Sequence, residues 1–147
     1  MKLEEFRIKH SELIEHYQHI EFNLEGIFSA LQEDKPFLTG MEEVEKDNIS
    51  RLLIRIRKIQ EETNKYVLTE ADFEKIKGIT ECRNYWCHKC YIDMCFDYIS
   101  GDPKKERDIK KLNKDFVEAL QLRDYLFEKK DKLLDTSKNY RPRLFQN

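Results

Sequence analysis

The sequence has little glycine and little proline: four glycines and three prolines in 147 residues. These residues supply most of the tight turns that β-rich folds need, so their scarcity argues against a sandwich or barrel and favours long helices. None of the glycine-rich patterns GxxxxGK[ST], GxGxxG or GxSxG occurs. Phosphate-cradling loops and α/β-hydrolase chemistry are therefore excluded.

The chain also lacks a long apolar run and a strong charge of either sign. No segment approaches 18 consecutive apolar residues, which argues against a transmembrane helix. Residues 1–5, Met-Lys-Leu-Glu-Glu, do not resemble a signal peptide. The net charge of −2 and the pI near 6.1 argue against a protein that coats duplex DNA, but they leave room for a local basic site. We expect a cytoplasmic protein.

The four cysteines lie within one predicted helix, so they cannot staple a loop-rich scaffold, and we interpret them as reduced thiols. A zinc site usually takes two pairs of ligands from separate turns, and the sequence offers no second pair outside this helix. We therefore favour small packing thiols over a metal site and expect no cofactor. The cysteines are Cys82, Cys87, Cys90 and Cys95.

The apolar residues follow helical spacing. Between residues 3 and 31 they recur in alternating steps of three and four, which predicts a helix about 45 Å long. Four long helices with short links are typical of an antiparallel up-down four-helix bundle, which is the all-α fold that we expect. We assign residues 1–137 to this single domain and residues 138–147 to a loose C-terminal tail. The predicted helices cover residues 3–31, 39–64, 69–99 and 103–136.

Local signals mark where these helices begin and end. Thr39-x-x-Glu42 has the capping-box pattern for the second helix, and Thr69-x-x-Asp72 has a weaker form of it for the third. Gly78, inside the third helix, marks a candidate kink. Residues 100–103, Ser-Gly-Asp-Pro, are expected to end the third helix and start the fourth.

The stretch from residue 80 to residue 99 organises the chain. It contains every cysteine and the only tryptophan, and from Tyr85 onward its apolar residues go almost all the way round the helix. Such a helix is buried in a bundle or against a dimer partner. Burying a polar group without a partner costs about 1–3 kcal/mol. Arg83, Asn84 and His88 therefore require an explanation.

These three residues form the pattern R-N-x-x-x-H. Metal-free RNA cleavage uses the neighbouring 2′-OH as nucleophile and needs a group that exchanges protons near neutrality, as histidine does. It also needs a fixed cation for the charge on the pentavalent phosphate, as arginine provides. Asn84 lies four residues before His88 and shares its helix face. Arg83 lies about 140° round the helix from His88, so one helix does not converge the two.

The pattern and the all-helical layout resemble the HEPN superfamily of small helical RNase domains. The resemblance implies a metal-independent endoribonuclease in which Arg83 stabilises the transition state, His88 is the acid or base, and Asn84 positions them. It also implies a homodimer with a composite site, in the setting of a toxin–antitoxin or antiviral system with a nucleotidyltransferase-like antitoxin. The sequence departs from the family pattern at Cys90, where many members carry an aromatic residue; Tyr91 follows one position later.

The alternative is a non-catalytic helical interaction module of the same fold. In that interpretation Arg83 and Asn84 belong to an ordinary buried network and His88 is a satisfied core histidine. Exposure distinguishes the two interpretations, because a catalytic pair must reach solvent and a structural pair is sealed and hydrogen-bonded.

Two further groups of polar residues are candidates for binding. Three basic residues share a face of the second predicted helix, where they could contact an RNA backbone or pair with acids such as Glu61 and Glu62. They are Arg51, Arg55 and Lys58. On the first helix an acid and two histidines share a face that could hold a metal, although a solvated face is the simpler interpretation. They are Glu12, His16 and His19. His10 lies in the apolar stripe, as a core histidine or as a neighbour of the central motif.

Overall fold

The computed structural model describes residues 3–92 and 105–140, and within these ranges every regular element is a helix. The expected all-α class is confirmed. We number the helices in chain order. They are α1 (Leu3–Leu31), α2 (Phe37–Val44), α3 (Ile49–Thr63), α4 (Glu70–His88) and α5 (Lys105–Thr136).

The first helix follows the predicted stripe closely. Leu13, Ile20, Leu24 and Ile27 are each fully buried, and Tyr17 beside them is 2% exposed. These side chains form the core against which the other helices pack. Burying each large apolar side chain contributes about 1.5–3 kcal/mol, so α1 supplies much of the stability of the fold.

The predicted second helix is in fact two helices, α2 and α3. The chain leaves the first after Val44, and Asn48 caps the second by accepting a hydrogen bond from the backbone N–H of Arg51 at 2.8 Å. An asparagine side chain at this position satisfies a free amide of the first turn and so begins a new helix. The capping box predicted at Thr39 is wrong, because α2 already begins at Phe37, after Pro36.

The link between α3 and α4 is fixed by side chains. The buried amide of Gln60 donates to the carbonyl of Leu68 at 3.2 Å and accepts from the N–H of Leu68 at 2.7 Å. Thr69 then caps α4, because its hydroxyl accepts from the N–H of Asp72 and its own N–H donates to the Asp72 carboxylate. The capping box predicted at Thr69 is confirmed.

Helix α4 is continuous through Gly78, so no break occurs where the sequence suggested a kink. It ends at His88, a turn follows at Lys89, and residues 90–92 are helical again. The remainder of the predicted third helix, residues 93–99, and the boundary signal at residues 100–103 lie outside the described residues.

Contacts along the helices give their relative directions. Lys9, near the start of α1, donates to the side chain of Asn113 at 2.6 Å, and Ser137, just after α5, donates to the carbonyl of Ala30 at 2.8 Å. Helices α1 and α5 therefore run parallel. A strict up-down order of four helices would set the first and last antiparallel, and the division of the second predicted helix into two explains the difference.

Helix α4 runs antiparallel to α1 and to α5. Near its start, Tyr125 of α5 donates to Asp72 at 3.1 Å, and near its end Trp86 donates to Asp115, earlier in α5, at 2.7 Å. The C-terminal end of α4 is thereby placed beside the N-terminal half of α1 and the first turns of α5.

The residues after α5 begin by contacting the body of the protein. The side-chain amide of Asn139 donates to the carbonyls of Ser29 and Gln32, at 2.8 and 3.0 Å, and Tyr140 packs edge-on against Phe37. The rest of the tail predicted at 138–147, residues 141–147, lies outside the described residues.

Two glycines give opposite predictions for stability. An added Cβ at Gly78 would meet no atom within 4 Å, whereas at Gly40 it would lie 2.3 Å from the hydroxyl and 3.2 Å from the backbone Cα of Ser29. We expect Gly78→Ala to raise the free energy of unfolding by about 0.5–1 kcal/mol, because alanine loses less conformational entropy in a helix.

We expect Gly40→Ala to lower the free energy of unfolding by about 1–3 kcal/mol through overpacking. Urea denaturation of both variants measures the two effects, and a loss of stability in Gly78→Ala would contradict the first.

Candidate functional site

The motif lies in the last turns of α4, and its members point in different directions. The guanidinium Nη2 of Arg83 lies 2.8 Å from Oε1 of Glu21 on α1, and the two side chains are 31% and 25% exposed. Asn84 and His88 are exposed and point away from the core. Neither has a hydrogen-bond partner among residues 3–92 and 105–140, and within those ranges no contact joins Arg83 to His88. Within one chain the structure therefore does not bring the predicted catalytic residues together.

Trp86 fixes this end of α4. Its side chain is 1% exposed, and its indole N–H donates to the carboxylate of Asp115 at 2.7 Å. Lys111 donates to the same carboxylate oxygen at 2.8 Å and lies over the ring of Tyr85. A buried carboxylate with two such donors is well satisfied. The interaction sets the rotation of α4 and so the side on which each motif residue lies.

His10 of α1 approaches the same region. Its Nε2 lies 2.8 Å from the carbonyl oxygen of Trp86, and its Nδ1 lies 3.2 Å from the hydroxyl of Tyr91. A ring nitrogen that faces a carbonyl must donate, so Nε2 carries the proton and Nδ1 accepts from Tyr91. The thiol of Cys90 also donates to that carbonyl, at 3.1 Å. His10 is thus both a neighbour of the motif and a fully hydrogen-bonded structural residue.

Acidic groups surround the Arg83 side of the motif. Burial raises the pKa of Glu25 to about 7, and the negative charges of Glu21 and Glu45 add to the shift. Burial also raises the pKa of Glu21, although Arg83 opposes the effect. Cys87 shares the face of Arg83, and burial raises the pKa of its thiol too. This side of α1 therefore carries carboxyl groups whose burial opposes ionisation.

The basic residues predicted to bind RNA all lie on α3, where each has an acidic partner. Arg55 contacts Asp47 at 2.6 Å and Glu43 at 3.6 Å, and Arg51 also contacts Asp47, at 3.5 Å. Lys58 lies 3.8 Å from Glu62, one of the acids expected from the sequence. This face is a network of surface ion pairs, so the charge that it offers to a polyanion is reduced.

The candidate metal ligands do not converge. Among the residues that the structure describes, no group of three or more His, Cys, Asp or Glu side chains is arranged to hold a metal ion. His16 is occupied by Arg123, whose guanidinium donates to Nδ1 at 2.9 Å, and burial and this cation lower the pKa of His16. His19 pairs with Glu15 instead. Among the described cysteines, Cys82, Cys87 and Cys90 form no disulfide bond with one another, and Cys95 lies outside the described residues.

A search of the described helices for a membrane-crossing segment finds none that is both long and apolar enough. Comparison with protein-family models, with curated proteins and with solved structures finds no match to the chain.

Sequence reasoning missed Glu21 and Asp115 as partners of the motif. Glu21 follows the buried Ile20 on α1, and Asp115 precedes the half-buried Phe116 on α5. Both are acidic residues at the border of an apolar stripe, and this position in the sequence was the available sign that they are partly buried. The position does not identify the residue on another helix that compensates the charge of each acidic side chain.

The raised pKa of Glu25 predicts a pH-dependent effect on stability. In the unfolded chain Glu25 ionises near pH 4.5, and in the folded chain near pH 7. Below pH 4.5 both states are protonated, so Glu25 has no effect. As the pH rises from 4.5 to 7 the unfolded state loses its proton first, so stability falls, and above pH 7 the full penalty is present.

We therefore expect Glu25→Gln to leave the Tm unchanged at pH 4 and to raise it by about 2–4 °C at pH 8.5. Thermal unfolding followed by circular dichroism at both pH values measures this. Glu12→Gln, which replaces an exposed acid on the same helix, is the matched control. An equal Tm gain at both pH values would contradict the assignment.

Proposed function

We propose that the protein is a HEPN-like, metal-independent endoribonuclease that acts as a homodimer. The observation that supports this most directly is the exposure of Asn84 and His88, one above the other on the outward face of α4, beside an arginine held by Glu21. A core histidine would be buried and hydrogen-bonded, and His88 is neither among the described residues. An exposed imidazole and a guanidinium paired with an acid are the two kinds of group that cleavage of a phosphodiester requires.

The divergence of Arg83 and His88 within one chain supports a composite site. In a homodimer with twofold symmetry, the outward face of α4 would meet the same face of the second copy. The Arg83 of one copy would then serve with the His88 of the other. We propose that α1, α3, α4 and α5 form the four-helix body of each copy, with α2 as an addition.

In this mechanism His88 takes the proton of the 2′-OH or gives one to the leaving 5′-oxygen. Arg83 binds the oxygens of the pentavalent phosphorane, and Asn84 orients the imidazole or the phosphate. The products are a 2′,3′-cyclic phosphate and a 5′-OH. We further propose Arg51, Arg55 and Lys58 as contacts to the RNA backbone away from the site, and a toxin or antiviral role in the cytoplasm with a nucleotidyltransferase-like antitoxin as partner.

One observation favours a second candidate, the non-catalytic interaction module. Glu21 neutralises Arg83, and a half-buried ion pair between two helices also serves as a structural contact. In that case the surfaces of the bundle carry the function, and substitution of Arg83 changes stability but no RNA cleavage. The first assay below separates the two candidates.

We expect Arg83→Ala and His88→Ala to lower the rate of RNA cleavage by about 10²–10⁴-fold, because each removes a group that acts in the transition state. Cleavage by the purified wild type should persist in EDTA, and the ends should be 2′,3′-cyclic phosphate and 5′-OH. His19→Ala, which removes a histidine that pairs with Glu15 on α1, is the control and should retain activity. If either motif variant cleaved RNA as fast as the wild type, the proposal would be refuted.

A mixing experiment tests the composite site. Arg83→Ala and His88→Ala chains are refolded together at equal concentrations. Random pairing gives mixed dimers in half of the population, and each keeps one intact site of two, so we expect about a quarter of wild-type activity from two inactive proteins. If each site lay within one chain, the mixture would stay inactive. Refolding each variant alone provides the baseline.

A further inference from the structure

We propose that Glu21 is a positioning residue that holds the Arg83 guanidinium in the geometry required for phosphate binding; this inference rests on the proposed function. Arginine and glutamate have long, flexible side chains, and ordering an arginine costs up to about 2 kcal/mol of rotamer entropy. A guanidinium already fixed in the free protein has lost this freedom before substrate arrives. The fixed position then adds to transition-state binding.

The contact leaves most of the guanidinium available. Nη2 of Arg83 lies 2.8 Å from Oε1 of Glu21, and the arginine side chain remains 31% exposed. A guanidinium has five N–H donors, so the donors that Glu21 does not use can form the forked pair that a phosphate requires. Among the residues that the structure describes, no other acceptor competes for them.

The surroundings of Glu21 show which side substrate must approach from. Glu21 pairs with Arg83, and its charge also acts on Cys87 of α4 and on Glu25 of its own helix; Glu45, beyond the end of α2, raises the pKa of Glu25 as well. The Glu21 carboxylate, which is paired with Arg83, repels a phosphodiester on this side. The phosphodiester must reach Arg83 from the outward side of α4, where Asn84 and His88 are exposed. Glu21 therefore supports the arginine from behind, on the side that is closed to RNA.

The alternative role for Glu21 is purely structural, and the two roles predict different results. Burial raises the pKa of Glu21, so its charge is costly in the folded state. Replacing it by glutamine removes that cost and keeps the size of the side chain, and the Arg83 side chain, which is 31% exposed, can still be hydrated, so Glu21→Gln should lose little stability. A positioning role predicts a stable protein whose arginine is no longer held.

The test compares wild type, Glu21→Gln, Glu21→Asp and Glu25→Gln. Glu25 lies one turn further along the same helix, and no ion pair joins it to Arg83 within the described ranges, so Glu25→Gln is the matched control. We expect Glu21→Gln to lower kcat by about 10–100-fold and to change KM by less than about twofold. Glu25→Gln should keep the wild-type kcat. Glu21→Asp keeps the charge but reaches less far, and we expect it to recover part of the lost rate.

Chemical rescue gives a readout that a structural role would not move. Arg83→Ala leaves a space beside Glu21 that free guanidinium ion can enter. We expect guanidinium at millimolar concentration to restore part of the activity of Arg83→Ala, and to restore none when Glu21→Gln is added. Equal rescue in both backgrounds, or a wild-type kcat in Glu21→Gln, would overturn the inference.

The hold on Arg83 is also measured without substrate, so that failure of the inference and failure of the proposed function can be told apart. In a ¹⁵N–¹H spectrum the side-chain signal of Arg83 should be sharp in wild type and in Glu25→Gln, and broadened or shifted to the free-arginine position in Glu21→Gln. An unchanged signal in Glu21→Gln overturns the inference even if wild type cleaves RNA. Wild type that cleaves no RNA refutes the proposed function and the catalytic part of the inference, whatever the spectrum shows.

Discussion

The carboxylate of Asp115 lies in the core between α4 and α5, where it accepts hydrogen bonds from the indole of Trp86 and from Lys111. Hydrogen bonds to charged groups contribute about 1.5–3 kcal/mol each to stability. A buried carboxylate that loses a donor destabilises the fold by its uncompensated desolvation energy. This interaction fixes the rotation of α4 at its C-terminal end. Each residue of a helix turns the next by about 100°, so a shift of one residue would reorient every motif side chain. The direction of Arg83, Asn84 and His88 depends on it.

The fixed rotation divides the motif between two surfaces. Arg83 faces α1 and its acids, and Asn84 and His88 face outward. A site that needs both Arg83 and His88 must therefore take one of them from a second chain or change the rotation of α4. A change in the rotation of α4 would break the contact between Trp86 and Asp115. The packing of the core thus opposes an internal rearrangement, because repositioning α4 costs several hydrogen bonds and the burial of a tryptophan.

Local signals in the sequence predicted much of the fold. The stripe of α1 and the capping box at Thr69 need only residues close in sequence, and both are seen in the structure. The break before α3 was missed because Asn48 lies inside a run of residues with helical spacing. An asparagine can be recognised as an N-cap only when the residues before it are known to leave the helix. The partners of Arg83 and Trp86 lie on other helices. Periodicity finds the buried face of a helix, but it does not identify which distant charge compensates a polar group there.

The distribution of charge differs between α3 and the end of α4. On α3 the basic residues pair with nearby acids, so each charge lowers the energy of its neighbour. Near Glu21, the partner of Arg83, burial and the negative charges of Glu21 and Glu45 raise the pKa of Glu25, which predicts a lower stability of the folded protein above pH 7. A chain selected for stability alone would replace one of these acids. Local conflicts of this kind are expected where a side chain is kept for its chemistry, and here the conflict involves Glu21, the acid paired with the arginine of the motif.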